Sequence, residues 1–210
     1  MKSLVTQALL LFSVAFSSFV VAIEKPEYEV VRIDGAVEYR LYESFLVAET
    51  EVVNVQSWKD ASNEGFMRLF RYITGDNNGE EKISMTAPVQ QSKLQPEDVR
   101  FNQAQPLSDN SGWKVGFMLP SHYSMVDAPV PQDDRVTLRI VPEKLVAAIR
   151  YSGRWTTRNY DKYEARLMAA LAEANIETLG VTETAFYNPP FVPPFMRRNE
   201  ILVEVARPPD

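Results

Sequence analysis

The chain has 210 residues and a formal net charge of −6, from 22 Lys and Arg against 28 Asp and Glu. It contains no cysteine and one histidine, which excludes disulfide frameworks, thiolate metal sites and cysteine nucleophiles. Because phosphate binding needs a basic patch, we do not expect nucleic acid as a partner of so acidic a chain.

Residues 1–22 have the pattern of a secretory signal peptide. Lys2 precedes an apolar run from Ala8 to Phe16, and small residues end the segment, as in exported proteins. The alternative is a membrane anchor, since 4–23 nearly has the length of a membrane span, but polar residues within it favour cleavage. We therefore predict a signal peptide over 1–22 and one mature domain over 23–210. The lack of cysteine and of glycosylation sequons favours the bacterial periplasm.

The first half of the mature domain alternates strands with one helix. Four short segments have the composition of antiparallel strands: 37–42, 45–52, 82–90 and 113–119. Helical periodicity runs from Ser57, a predicted N-cap, to Thr74, and Gly75 is the predicted stop. Residues 92–112 are rich in Gln, Ser, Asn, Asp and Pro, which indicates a surface loop.

The second half repeats the same order of elements. A helix is predicted over 158–174, and the strand-like segments around it are 136–141, 145–151, 184–187 and 201–205. A strand-strand-helix-strand-strand unit that occurs twice indicates one domain with pseudo-twofold symmetry. We therefore predict an α+β fold, a distorted antiparallel β-barrel flanked by two long α-helices.

The two predicted helices differ in the width of their apolar faces. The second has a single stripe that covers the sheet, formed by Tyr160, Tyr163, Leu167, Leu171 and Ala174. The first has a core stripe of Trp58, Phe66, Leu69 and Ile73. In addition, Met67 and Phe70 lie beside that stripe at helical spacing. Such a widened face is either a wider core or a ligand site, and the pattern leaves both open.

Catalytic motifs that are recognisable from sequence do not occur. We find no Walker loop, Gly-x-Gly-x-x-Gly, His-Glu-x-x-His or Gly-x-Ser-x-Gly. His122 is a candidate iron ligand only by elimination, and a structural role is favoured because no partnering acid is in view. Catalysis is therefore possible but has no support from a recognisable motif, and no catalytic residue and no metal ligand is assigned.

An unusual proline-rich loop lies over 187–200. Four prolines stiffen a segment that carries four apolar side chains followed by two arginines: Phe191, Val192, Phe195, Met196, Arg197 and Arg198. Rigid loops lose little entropy when they close over a ligand. The loop is either a rigid crossover that buries its aromatics, or a cover for a flat hydrophobic ligand whose carboxylates pair with arginine.

Several motifs in register resemble the SOUL haem-binding protein family. They extend from about Tyr28 to Val205 and include Lys82-Ile83-Ser84-Met85-Thr86-Ala87-Pro88-Val89, Phe117-Met118-Leu119-Pro120, Ala128-Pro129-Val130-Pro131 and Asn188-Pro189-Pro190. The resemblance implies a distorted antiparallel barrel with two long helices. It also implies tetrapyrrole binding in a hydrophobic cleft between the first helix and the loop before the last strand.

Carried over to this chain, the resemblance implies seven haem-binding residues: Phe66, Met67, Phe70 and Arg71 on one wall, and Phe191, Phe195 and Arg197 on the other. Similar proteins carry a basic residue where this chain has Asn63, so Arg71 and Arg197 are left to pair with propionates. A histidine ligand of one branch has no counterpart here. We therefore expect haem, or another tetrapyrrole, to be held by burial and propionate contacts without a strong axial ligand.

Three functional hypotheses follow. The first is an exported, non-catalytic haem or porphyrin binder that buffers or carries its ligand and keeps no stable membrane span after cleavage. The second is a cleft that accepts varied amphipathic molecules, because the twofold architecture resembles bacterial effector-binding domains. The third is an enzyme that acts on a tetrapyrrole through carboxylates or through tyrosines such as Tyr72 and Tyr187. The sequence leaves the physiological ligand and any protein partner open.

Overall fold

The computed structural model describes residues 23–55, 57–94 and 112–206. The predicted signal peptide at 1–22 and most of the predicted loop at 92–112 lie outside the described residues. Within these three ranges, no helix combines the length and apolar composition needed to cross a bilayer.

Nine antiparallel strands form one sheet in the described part of the chain. The elements in chain order are β1 (Tyr28–Asp34), β2 (Val37–Tyr42), β3 (Phe45–Val53), α1 (Trp58–Ile73), β4 (Val89–Lys93), β5 (Gly112–Met118), β6 (Val136–Val141), β7 (Lys144–Tyr151), α2 (Thr157–Glu173), β8 (Glu183–Phe186) and β9 (Asn199–Glu204). The order across the sheet is β1-β2-β7-β9-β8-β4-β5-β3-β6.

The predicted repeat is visible in this strand order. The unit β2-β3-α1-β4-β5 corresponds to β6-β7-α2-β8-β9, and β4 pairs with β8 at the centre. The first strand of each unit pairs with a strand of the other unit: β2 pairs with β7, and β6 pairs with β3. The sheet curls into a half-barrel on which the two helices pack, so the predicted α+β fold with a distorted barrel is confirmed.

The helix α1 begins after its predicted N-cap, and α2 begins one residue before its predicted start; both have a hydroxyl N-cap. The Ser57 side chain accepts a hydrogen bond from the backbone N–H of Asp60, and the Thr156 side chain accepts one from Asn159. The predicted stripe of α2 is confirmed as well. Its residues lie in or against the core cluster formed with β2, β7 and β9.

The core face of α1 differs from the predicted one. Leu69 and Ile73 are buried as expected, but Trp58 and Phe66 are only half-buried. The small residues Ala61 and Gly65 are buried in their place. Because they bring the helix close to the sheet, Trp58 and Phe66 lie at the edge of the interface, while Tyr72 is buried within it.

Gly65 is the point of closest approach between α1 and the sheet. A Cβ atom added there would lie 2.5 Å from Cγ2 and 2.7 Å from Cβ of Val115, a fully buried β5 residue. Alanine favours helices over glycine by about 1 kcal/mol. Even so, we expect Gly65→Ala to destabilise the fold by about 1–3 kcal/mol through overpacking. Urea denaturation beside the exposed-site control Lys59→Ala would test this, and a stabilised Gly65→Ala variant would contradict it.

The strand predicted over 82–90 begins only at Val89. Residues 82–88 are irregular, because Pro88 has no N–H group to donate to a strand ladder. The segment is fixed by other backbone bonds: Ile83 N–H donates to the Ile73 carbonyl at 2.8 Å, and Ala87 N–H donates to the Glu24 carbonyl at 2.9 Å. The first bond holds the segment beside the end of α1, and the second holds it beside residues 23–27.

Candidate functional site

A cleft of about 350 Å³ lies between α1 and the chain that follows β8. We call it the apolar cleft. Its apolar lining residues are Ile23, Phe66, Phe70, Met85, Ala87, Val89, Trp155, Phe186, Pro189 and Pro190, and its polar ones are Ser62, Asn63, Thr86, Tyr187 and Asn188. Among the described residues, none of those that line it is charged at neutral pH.

One wall of the apolar cleft is the aromatic face of α1. Phe66 and Phe70 are one helical turn apart, and their rings stack with centroids 5.8 Å apart. Phe66 also contacts Phe117 of β5 edge-on at 5.3 Å, which fixes it to the sheet. Phe70 is 40% exposed. The wall therefore consists of one anchored ring and one accessible ring.

Tyr187, on the opposite wall of the apolar cleft, is fixed by a buried ionic network. The Tyr187 hydroxyl donates to Oε2 of Glu200 at 2.9 Å. Glu200 is fully buried and also accepts hydrogen bonds from Arg40 at 2.7 Å and from Arg198 at 2.9 Å. Burial and the neighbouring Glu200 charge raise the pKa of Tyr187, so its hydroxyl stays protonated. This network positions the tyrosine ring against the cleft.

Arg197, predicted to pair with a propionate, is already engaged within the proline-rich loop. Its Nε donates to the Val192 carbonyl at 2.8 Å and its Nη2 to the Pro190 carbonyl at 2.5 Å. Its guanidinium lies 4.4 Å from the centroid of the Trp155 ring. The two hydrogen bonds from the guanidinium and its stacking on the Trp155 ring together fix the proline-rich loop in place.

Arg71 lies away from the apolar cleft, on the side of α1 that faces Asp133. Its Nη2 is 3.9 Å from the Asp133 carboxylate. A hydrogen bond from Arg135 lowers the pKa of Asp133 to about 2, so this carboxylate stays charged at neutral pH. The structure therefore gives Arg71 an acidic partner outside the cleft.

The remaining predicted residues lie on the surface beside the apolar cleft. Phe191, which directly follows the lining residue Pro190, is 84% exposed, and Phe195, further along the same loop, is 77% exposed. Met67 is 51% exposed on α1. Of the seven predicted residues, the structure thus places Phe66 and Phe70 in the lining, while the other five are outside it.

Arg197 has two candidate roles, pairing with a propionate and fixing the proline-rich loop. These roles predict different results for the variant Arg197→Lys. Lysine keeps the charge but cannot hold two carbonyls in a fork or stack as a plane. If Arg197 acts by tying the loop, we expect this variant to raise amide hydrogen exchange of 190–197 and to weaken haemin binding about three- to tenfold. Full affinity with unchanged exchange would instead indicate that only its charge matters.

Iron ligation has little support in the lining. His122 is exposed, its ring contacts Tyr123 at 4.2 Å, and it does not line the apolar cleft. Over the three described ranges, no group of at least three His, Asp or Glu side chains is placed to hold a metal ion. Of the side-chain types that ligate haem iron, the lining offers Met85 and Tyr187.

Sequence reasoning missed several lining residues. Trp155 and Phe186 come from the second repeat, and their rings contact each other at 5.1 Å. Met85 lies in the irregular segment that was predicted as a strand. Ile23 arrives because residues 23–27 run beside Ala87. Of these four residues, only Met85 lies within a family motif that the sequence analysis identified, and the lining residues Thr86, Ala87 and Val89 belong to the same motif.

Comparison with known proteins identifies the family. The family model described as SOUL heme-binding protein matches residues 23–204. The chain belongs to the SOUL haem-binding protein family.

Curated SOUL relatives cover most of the chain. Heme-binding protein 1 of Xenopus laevis is 30% identical over 169 residues, which is 80% of this chain and 83% of the relative. Heme-binding protein 2 of Homo sapiens is 29% identical over 168 residues, which is 80% of this chain and 77% of the relative.

Solved structures with much lower identity share the SOUL chain's fold. The EcmrR C-terminal domain has a TM-score of 0.56 at 8% identity, and the alignment covers 86% of this chain and 98% of that domain. A hydrolase from Listeria innocua has a TM-score of 0.53 at 9% identity, with 84% and 94% covered. At such identity these similarities concern the fold alone.

Proposed function

We propose that this SOUL protein is an exported, non-catalytic binder of haem or a related tetrapyrrole, which it buffers or carries in the apolar cleft. Family membership suggests haem binding, and two similar proteins are named for it. The observation that carries the proposal is the pair of stacked rings, Phe66 and Phe70, that face an uncharged, mostly apolar cleft. Aromatic faces of this kind suit a flat hydrophobic ligand.

The mostly apolar lining suits the flat tetrapyrrole ring of haem better than it suits the propionate carboxylates or the iron. The exposed Phe191, which directly follows the lining residue Pro190, provides further apolar surface next to the lining. No lining residue is positively charged, so propionates are expected at the solvent-facing mouth. Haem bound there would supply its own spectroscopic signature, while the chain supplies burial and orientation.

Two lining side chains have atoms that ligate iron in other proteins, and neither is a strong candidate here. Tyr187 stays protonated and donates to Glu200, and tyrosine ligates as the phenolate. Met85 offers a thioether, which is a weak acceptor. We therefore propose binding by burial, without a strong axial ligand.

The test is a haemin titration followed by Soret absorbance. We expect a saturable one-to-one shift in the wild-type protein and an affinity within about twofold of it in His122→Ala, because His122 lies outside the cleft lining. Loss of the shift in His122→Ala would move the iron ligand to that loop and overturn the site. No saturable shift in the wild-type protein would overturn haem binding altogether.

A broader specificity for amphipathic ligands is the second candidate. The observation that favours it is the absence of fixed charge among the described lining residues, since selection between anionic and neutral ligands needs such charge. Haemin, metal-free protoporphyrin and an unrelated amphiphile should be compared at equal ionic strength. Equal affinities for all three would favour this candidate, and a preference for the two tetrapyrroles would contradict it.

A further inference from the structure

A second cavity, of about 300 Å³, lies between the first turns of α1 and α2. We call it the inter-helix cavity. It is distinct from the apolar cleft, although Trp155 and Phe186 contribute to both linings. All three tryptophans of the chain line it, and its aromatic residues are Trp58, Trp113, Tyr151, Trp155, Tyr160 and Phe186. A volume of this size is at the lower end of small-molecule sites.

The aromatic lining can stack on a ligand, and three of its five N–H and O–H groups are already hydrogen-bonded within the protein. Nε1 of Trp58 already donates to Thr157 Oγ1 at 3.1 Å, and Nε1 of Trp155 donates to Asn199 Oδ1 at 2.7 Å. The Tyr160 hydroxyl bonds to Glu164 at 2.6 Å. These groups therefore present ring surfaces to the cavity, and their polar atoms are engaged elsewhere.

One lining residue has an unused acceptor. Gln91 of β4 is 4% exposed, and its Nε2 donates to the Trp58 carbonyl at 2.9 Å. Its Oε1 is buried and has no hydrogen-bond partner among the described residues. Buried polar atoms nearly always have a partner, because leaving one unpaired is costly. Gln91 lines the inter-helix cavity, so a ligand there whose N–H or O–H group reached Oε1 would give this acceptor its missing partner.

The charges around the inter-helix cavity favour a neutral ligand. Its lining includes one cation and one anion, Lys93 and Asp161, and both are exposed. Opposite charges at the rim give no net preference for an ion of either sign. We propose that the inter-helix cavity binds a neutral, flat aromatic molecule of about two fused rings that donates a hydrogen bond to Gln91. This site is independent of the proposed haem function.

Indole and 1-methylindole are a matched pair of probes, because they differ in the N–H donor. Protein labelled with ¹⁵N-tryptophan gives indole signals from Trp58, Trp113 and Trp155, and binding is followed by their shifts. We expect saturable binding of indole and at least about tenfold weaker binding of 1-methylindole. Intermolecular NOEs to Tyr151 and Thr184, which line this cavity and not the apolar cleft, are expected to place the probe.

Gln91→Leu removes the acceptor while keeping a similar volume. We expect it to reduce the preference for indole over 1-methylindole to less than about twofold. The wild-type comparison of the two probes does not depend on how well this variant folds. Equal wild-type affinities, no saturable shifts, or NOEs to Phe66 and Phe70 in place of Tyr151 and Thr184 would each overturn the proposal.

Discussion

Phe70→Asp is expected to weaken haemin binding by at least about a hundredfold. The substitution removes an accessible aromatic ring from the cleft, worth about 2–3 kcal/mol of apolar contact, where 1.4 kcal/mol is a factor of ten. It also places a carboxylate within a lining that has no charged residue to pair with it. Phe70 is already 40% exposed, so the fold should tolerate the change. Soret titration and thermal denaturation on the same preparation separate the two effects.

Met168→Asp is the matched control for this variant. Met168 is an apolar residue on α2 with a similar exposure of 38%, and it does not line the apolar cleft. The same charge is thus added to a helix surface at a comparable depth. We expect haemin affinity within about threefold of the wild-type value. An equal loss in both variants would indicate a general electrostatic effect and contradict the assigned site.

Glu200→Gln is expected to lower the free energy of unfolding by about 2–4 kcal/mol, because it removes the buried carboxylate that pairs with Arg40 and Arg198 and leaves Arg40 only the partly exposed Glu38 as a counter-ion. Arg40 and Glu200 are 1% and 0% exposed, and two hydrogen bonds of 2.7 and 3.1 Å join them. Burial alone would lower the pKa of Arg40, but the hydrogen bond and charge of Glu200 raise it, so the arginine stays charged. Urea denaturation followed by tryptophan fluorescence measures the loss.

The control for Glu200→Gln is the exposed pair formed by Arg32 and Asp34, at 3.0 Å. Asp34→Asn is expected to change stability by less than about 1 kcal/mol, because water and salt screen exposed ion pairs. If Glu200→Gln also lowered the free energy of unfolding by less than about 1 kcal/mol, the buried network would contribute little to stability, which would contradict the prediction.

The Glu200 carboxylate should also give the protein an acid-sensitive stability. Burial works to raise its pKa, but hydrogen bonds and charge from Arg40 and Arg198 outweigh burial and lower it below the ordinary value of 4.5. A carboxylate with a lowered folded-state pKa stabilises the fold above its unfolded pKa, and that contribution is lost as the pH falls. The stability difference between wild type and Glu200→Gln should therefore narrow below about pH 4.5.

The order of elements could be read from the sequence because each helix has clear local signals. Ser57 was identified as the N-cap of α1, and the single stripe of α2 matches its buried face, whereas the N-cap of α2, Thr156, was not predicted. The exchange of β2 and β6 between the two repeats was not predictable, because strand pairing depends on partners distant in the chain. β1 was not predicted either, since six of its seven residues are exposed and lack the alternation of a half-buried strand.

The candidate site was predictable only in part. Helical spacing and the resemblance together indicated Phe66 and Phe70, which do line the cleft. The same reasoning assigned Arg197 to a propionate, since sequence gives the residue type but not its competing partners. Here the competing partners are two loop carbonyls and the Trp155 ring. Contact of the seven residues with a ligand stays a prediction, and so do the signal peptide and the periplasmic location.

The aromatic partition formed by Trp155 and Phe186 has an evolutionary consequence. Because the same two rings line the apolar cleft and the inter-helix cavity, a substitution at either position reshapes both spaces at once. Such positions are pleiotropic, so selection on one specificity is constrained by its effect on the other. Substitutions can alter one space alone only at residues that line that space and not the other. Examples are Phe70 in the apolar cleft and Gln91 in the inter-helix cavity.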